Sequence, residues 1–170
     1  MVRVFAVGLL LSMTGCLRVG APAQGAGDYG YHPVLAPANA HVIGDAALTF
    51  AEYLNAMHRK LHPIFADTLL AGLDKLPPDN PLQDRSLNVT VEVVLEGATG
   101  KIVQGRVVRG SRSTAFDLAT LRALEHAAPF GPAPKAIRSF DGNVHLQWEL
   151  RRDAMACSTL GVHPFLLRAP

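Results

Sequence analysis

The strongest constraint on the fold is a regular alternation of side chains between Leu87 and Leu95. Every second residue in this stretch is apolar, a period of two that predicts a β-strand with one buried face. The apolar positions are Leu87, Val89, Val91, Val93 and Leu95. A strand of this kind needs neighbouring strands and a second layer that covers its apolar face. The rest of the chain is therefore expected to supply both.

Two further segments are predicted to be strands of the same sheet. Ile102–Arg109 is rich in Val and Ile and follows turn residues at 96–100, so the first two strands are expected to form a hairpin. Between 144 and 150 apolar residues again alternate with polar ones, which predicts a third strand. Trp148 belongs to the apolar set of that strand and is expected to pack in the core.

Residues 45–78 are predicted to be helical. Asp45 is a suitable N-cap, and apolar residues follow it at helical spacing on both sides of Pro63. The first set is Phe50, Leu54, Met57 and Leu61, and the second is Phe65, Leu69, Leu73 and Leu76. Because proline interrupts helical hydrogen bonding, we expect two amphipathic helices, or one helix that continues beyond a kink, ending at Pro77.

A further helix is predicted from Thr114 to about Ala128. Thr114 is a suitable N-cap, and the Asp117 carboxylate lies where the positive helix end favours it. Ser113, Thr114 and Asp117 resemble a catalytic cluster, but their spacing is that of a helix cap, and we interpret them so. The predicted fold is α+β: an antiparallel three-stranded sheet over residues 86–152, in the order strand, strand, helix, strand, packed on helices and preceded by two amphipathic helices. Residues 153–170 form a tail.

The N-terminal residues have the character of an export signal. Residues 1–15 contain one cation and an apolar run of ten residues, about half of what a membrane span requires. Residues 13–16 resemble a bacterial lipobox, which predicts lipid attachment at Cys16 and a periplasmic protein anchored to the outer membrane. The alternative is cleavage after Ala23, which releases an unanchored periplasmic protein. Residues 16–44 are rich in Gly, Ala and Pro and are predicted to be a tether.

Charge and cysteine content narrow the classes of partner. The chain has 16 basic and 14 acidic residues, a net charge of +2 that is too small for a protein built on phosphate contacts. Nucleic acid is therefore not an expected partner. With Cys16 consumed by processing, Cys157 is left alone, and no disulfide framework is expected.

Three segments together resemble the TonB/TolA C-terminal domain family. They read VEVVLEGATGKIVQGRVVRG, SRSTAFDLATLRALEHAAPFGPAP and DGNVHLQWELRR. Their order is the family's order of hairpin, helix with an Asp-containing opening, proline-rich turn and final strand. Two loops depart from the usual form, at residues 110–112 and 130–132, which affects turn detail but not topology.

The resemblance implies a non-enzymatic adaptor of an envelope complex, without a cofactor or metal, and the lipid predicted at Cys16 would hold this adaptor at the membrane. Family domains are thought to capture an extended segment of a partner protein along an exposed sheet edge. Here that edge is expected on the last strand: Asn143, Val144, His145, Leu146, Gln147, Trp148, Glu149 and Leu150. His145 is expected to face solvent or the partner. Exposed edges also permit pairing of two copies, so a homodimer stays open.

The alternative of another class is a periplasmic metal-dependent or thiol enzyme. His58 and His62 are four residues apart on a predicted helix and could share one face toward a metal ion, although the sequence offers no further ligand at suitable spacing. Cys157 followed by Ser158 and His163 could supply a nucleophile and a base. We favour a solvated helix face for the two histidines and a buried structural thiol for Cys157.

Overall fold

Three α-helices and four β-strands make up the part of the chain that the computed structural model describes, residues 40–167. In chain order they are α1 (Ala40–Ile64), a π-helical turn (Phe65–Leu70), α2 (Ala71–Leu73), β1 (Asn88–Glu96), β2 (Ile102–Arg109), α3 (Thr114–Ala127), β3 (Asn143–Arg151) and β4 (Val162–Phe165). The α+β class and the predicted order of strand, strand, helix, strand are confirmed. The export signal, Cys16 and most of the predicted tether lie outside the described residues.

The sheet has four strands rather than three, in the spatial order β2-β1-β3-β4, and every pair is antiparallel. β1 and β3 pair without a break over nine residues, from Asn88 opposite Arg151 to Glu96 opposite Asn143. The added strand, β4, comes from the predicted tail and pairs with the outer side of β3. It is four residues long and contains Pro164, so the sequence gives no alternation long enough to predict it.

The apolar faces of β1 and β3 form the core together with the helices. Trp148 is fully buried, as expected, and Val91 lies directly opposite it on β1. Phe65 and Phe116 bring the first helical run and α3 together, with their ring centroids 6.4 Å apart in an edge-on arrangement. The helices thus cover one face of the sheet, which leaves the strand edges as the places where backbone groups can meet another chain.

The first helical run starts earlier and continues further than predicted. α1 begins at Ala40, so Asp45 is not its N-cap and residues 40–44 are helical instead of tether. Pro63 does not end the helix. The winding is π-helical over Phe65–Leu70 and α-helical again over Ala71–Leu73, so the chain forms one helix that continues beyond the proline, as one of the two alternatives predicted. The Thr68 hydroxyl, in the π-helical turn, donates a hydrogen bond to the Pro63 carbonyl at 2.9 Å.

The cap of α3 is one residue earlier than predicted. The Ser113 hydroxyl, not that of Thr114, accepts the hydrogen bond from the Phe116 N–H. The Asp117 carboxylate accepts from the Ser111 N–H at 2.9 Å and so orders the loop that precedes the helix. Interpretation of these polar residues as a helix cap rather than a catalytic cluster agrees with this geometry.

Within residues 40–167 no helix has the length and apolar character that a bilayer span requires.

Arg152 ties the end of β3 to the segment that joins the helices to the sheet. Its side chain is fully buried and donates hydrogen bonds to the Leu82 carbonyl at 3.0 Å and to the Asp74 carboxylate at 2.6 Å. The hydrogen bond from Arg152 holds the pKa of Asp74 below its usual range. The Arg152 N–H also donates to the Leu87 carbonyl at 2.8 Å, next to the start of β1. One residue thus connects the end of β3 to three points of the chain between α2 and β1, all of them far from Arg152 in sequence.

We expect Arg152→Ala to lower the free energy of unfolding by about 2–4 kcal/mol, because it leaves the Leu82 carbonyl without its donor and opens a cavity. Denaturant titration followed by the fluorescence of Trp148, the single tryptophan, measures the loss. The matched control is Arg151→Ala, whose side chain is 42% exposed and pairs only with surface carboxylates. Equal losses in the two variants would contradict the role given to Arg152.

Candidate functional site

The strand predicted to offer a partner-binding edge is an inner strand of the sheet. β3 lies between β1 and β4, and β4 pairs with it from His145 to Trp148. The even-numbered residues of β3 face the core and are buried: Val144, Leu146, Trp148 and Leu150. Asn143, Gln147 and Glu149 lie on the other face and are partly exposed. The expected edge therefore carries a resident strand over four residues.

The resident strand is short and comes from the end of the chain. Val162 and Phe165 are its buried residues, whereas His163 is exposed and lies opposite Gln147. Beyond the strand, the Leu167 N–H donates to the Ser139 hydroxyl at 2.9 Å. A four-residue ladder, a few buried side chains and the hydrogen bonds of Leu167 to Ser139 and Phe140 thus hold β4 in place. The same backbone groups of β3 would pair with a partner strand if β4 left.

The expectation that His145 faces solvent or a partner is wrong, because its side chain is buried. Its Nε2 atom lies 2.9 Å from an Asp141 carboxylate oxygen, and its ring centroid is 5.7 Å from that of Phe165. Two neighbours therefore cover His145: the residues that lead into β3 and the last residue of β4. Departure of β4 would remove Phe165 and uncover the imidazole.

β2 is one of the two edge strands of the sheet, and β4 is the other. The pairing of β2 with β1 shifts register twice, between Thr90 and Val91 and between Val94 and Leu95. Arg106 makes a two-point hydrogen bond to the buried Glu92 carboxylate, and Arg109 pairs with Glu149 at 3.4 Å. Irregular pairing and charged side chains are features that protect natural edge strands from addition of another strand. The edge of β2 is thus less suited to regular strand pairing than the side of β3 that β4 covers.

A second group of candidate residues meets away from the sheet edge. His58 and His62, one turn apart on α1, have ring centroids separated by 5.0 Å. The Cys157 sulfur, from the segment between β3 and β4, lies 3.7 Å from the Nδ1 atom of His62. One ligand atom from each of the three residues lies within 4.8 Å of the other two. The structure thus joins the two histidines to a thiol that is 95 positions from His62 in sequence.

The Cys157 thiol is buried away from water, whereas the imidazoles of His58 and His62 are partly exposed. Burial raises the pKa of the Cys157 thiol to about 11, so a neutral thiol prevails at neutral pH in the metal-free protein. Burial, followed by the charge of neighbouring His62, lowers the pKa of His58. A buried, protonated thiol is a poor nucleophile, and this environment does not favour the thiol-enzyme alternative.

Sequence reasoning missed two features of these sites. Nothing near His58 or His62 in sequence indicates a third ligand, because Cys157 meets them only through tertiary packing. The resident strand β4 was missed because four residues with a proline carry no readable period. The apolar stretch at residues 164–167 is the one signal in the sequence that this part of the tail could return onto the sheet.

Comparison with known proteins gives one match. Residues 51–146 match the family model described as TonB C terminal, a match that runs from the middle of α1 into the first part of β3. No curated protein and no solved structure matches the chain at a significant level.

We expect Cys157 to resist modification in the folded chain, because its side chain is fully buried. In a Cys16→Ser chain kept in chelator, Cys157 is the single thiol, and a disulfide reagent at pH 7 measures its rate of reaction. The rate should rise by orders of magnitude in denaturant, which exposes the sulfur. Fast, stoichiometric reaction of the folded chain would instead support a reactive thiol.

Proposed function

Since the chain belongs to the TonB C-terminal family, we propose that it is a non-enzymatic binding domain of the cell envelope that captures an extended segment of a partner protein. Domains of this family are in general non-enzymatic, associate with the envelope and interact with envelope proteins. The proposal goes further in two respects, the mode of capture and the attachment to a membrane, and each has its own support.

The observation that carries the mode of capture is the unequal pairing of the two sides of β3. On one side β1 pairs with all nine residues in unbroken register, and on the other β4 pairs with four. A partner strand in the place of β4 would pair with the stretch of β3 from His145 to Trp148 and take over the main-chain hydrogen bonds that β4 makes there. The side chains of the partner would alternate between the core side, next to Trp148, and the side of His145.

Replacement of β4 has a cost that the partner must offset. Uncovering Val162 and Phe165 costs roughly 3–6 kcal/mol, since burial of each such side chain is worth about 1.5–3 kcal/mol. A partner whose apolar residues enter the same two positions recovers this amount. We therefore propose that captured segments carry an apolar residue opposite Trp148 and a second one opposite His145, three positions apart as Val162 and Phe165 are.

A disulfide between β3 and β4 tests the replacement. Gln147 and His163 are direct cross-strand partners, and the Cα separation of such pairs, about 4.5–5.5 Å, suits a disulfide. The Gln147→Cys/His163→Cys chain carries a photocrosslinker at Asn143, which is partly exposed and lies just outside the stretch that β4 covers. Adducts with an envelope protein should fall more than about 10-fold under oxidation, because the bond adds about 2–4 kcal/mol to the cost of opening.

The controls separate loss of the edge from loss of the fold. Reductant should restore the adducts, and the two single-cysteine chains should behave like the parent chain. A second crosslinker at Val103, which is 57% exposed on β2, reports on the opposite edge. Adducts that persist after the disulfide has formed, or that form from Val103 alone, would overturn capture at β3 and point to the β2 edge. A second copy of the chain could also pair at that edge.

The predicted export signal, residues 1–15, supports the proposal that the protein is attached to a membrane. The apolar run of residues 4–13 followed by Thr14, Gly15 and Cys16 is typical of lipid-modified export signals, and a lipid-bearing Cys16 would hold the domain at the outer membrane. The tether that follows would leave the domain free to meet partners near that membrane.

The mass of the mature protein isolated from its native membranes tests this attachment. We expect a chain that begins at a lipid-modified Cys16, and we expect Cys16→Ala to lose the lipid and the membrane association. A mature chain that begins at Gln24 would contradict anchoring and would indicate an unanchored periplasmic binding protein. The parent chain and the variant are compared at equal expression.

A further inference from the structure

His58, His62 and Cys157 place three good metal ligands around one point on the surface of α1. Thiolate sulfur and imidazole nitrogen are the donors that Zn²⁺ prefers in proteins. Zn–S bonds of about 2.3 Å and Zn–N bonds of about 2.0–2.1 Å require donor atoms roughly 3.3–3.6 Å apart in a tetrahedral site. The observed distance from the Cys157 sulfur to His62 Nδ1 is 3.7 Å, and all three donors lie within 4.8 Å of one another.

The helix around His62 also supplies the support that ligating histidines usually have. His62 directs Nδ1 to the Cys157 sulfur, and its Nε2 lies 3.6 Å from the Asp67 carboxylate. In an α-helix, residues five apart point in different directions, whereas π-helical winding, which starts at Phe65, brings them together. The 3.6 Å separation is longer than a hydrogen bond, and a shift of a few tenths of an ångström on metal binding would bring the carboxylate into the supporting position that ligating histidines usually have.

The backbone holds the third ligand toward this point. Ala156 has a φ angle of +42°, which is uncommon for a residue with a side chain, and its carbonyl accepts a hydrogen bond from the Arg151 N–H at 2.8 Å. The Trp148 indole donates to the Ser158 carbonyl at 3.1 Å, on the other side of Cys157. The thiol is thus held from both neighbours, fully buried and directed at α1.

We propose that Cys157, His58 and His62 bind a Zn²⁺ ion, with the fourth position open on the exposed side of the histidines. The His62 side chain is 45% exposed, so water can reach the ion there. Binding replaces the thiol proton with a sulfur–zinc bond and releases that proton to solvent. Asp67, beside His62, offsets part of the charge that the ion adds. The site concerns α1 and the segment before β4 and does not depend on strand capture.

Cobalt is the probe, because Co²⁺ occupies zinc sites and reports their ligands by absorption. The experiment uses the full chain with Cys16→Ser, freed of metal by chelator. One equivalent of Co²⁺ should produce a thiolate charge-transfer band in the near ultraviolet together with visible bands of tetrahedral strength, and Zn²⁺ should remove both. Absence of the charge-transfer band, or binding that Zn²⁺ does not displace, would overturn the proposal.

Variants locate the site without relying on the buried thiol. His58→Gln should weaken Zn²⁺ binding more than Asp67→Ala does, and Asp67→Ala should weaken it about 10–100-fold, the usual loss when support for a ligand is removed. His126→Gln, an exposed histidine on α3, is the matched control and should bind as the parent chain does. If His58→Gln and His126→Gln bind alike, the ion is not held at this cluster.

Thermal unfolding gives a second measurement. It also suits Cys157→Ser, whose own stability is lower because the replaced thiol is fully buried, since each chain is compared with itself with and without Zn²⁺. Zn²⁺ in excess should raise the midpoint of unfolding of the parent chain, because an ion that binds only the folded state stabilises it. The same addition should raise the midpoints of His58→Gln and Cys157→Ser much less than that of the parent chain. An equal rise in all three chains would show that the stabilisation comes from elsewhere and would overturn the site.

Discussion

The pairing of β1 with β3 is the interaction on which the rest of the structure depends. Nine residues of each strand pair without a break, and this register places Val91 beside Trp148 on a continuous apolar face. α1 and α3 have a surface to cover only because that face exists. The outer sides of the same two strands are where β2 and β4 attach. The core and both edges of the sheet thus follow from one register.

What could be predicted from the sequence is what short-range patterns encode. The alternation at Leu87–Leu95 identified β1, and that around Trp148 identified β3, because each strand buries one face against the helices. α3 was predicted to within about one residue, since its cap and its proline-rich exit are local signals. The resemblance to the TonB C-terminal family was identified on the same three segments and is confirmed by the family match.

The remaining features arise from contacts between distant residues. Pro63 predicts an interruption or a kink of the helix. The chain nevertheless stays helical on both sides of Pro63, with Leu61 and Phe65 buried in the core, and only the winding changes, to π-helical from Phe65. β4 exists because β3 offers it an edge, not because its four residues favour a strand. The cluster of His58, His62 and Cys157 joins α1 to the last segment of the chain, a proximity that no spacing in the sequence encodes.

The contacts around β3 also determine how much of the chain end could move. Arg152 is bound to Leu82 and Asp74, and the Trp148 indole is bound to the Ser158 carbonyl, so the segment between β3 and β4 is attached to the core at both ends. A Cβ atom at Gly161 would lie only 3.0 Å from the Glu149 carbonyl oxygen, which shows how closely the chain approaches β3 before β4 begins. The anchors of Cys157 precede Val162, so β4 can leave the sheet, once the hydrogen bonds of Leu167 to Ser139 and Phe140 break, while Cys157 keeps its place beside α1. Exchange of the last strand and the arrangement of the cysteine–histidine cluster are therefore separable, since different parts of the same return segment carry them.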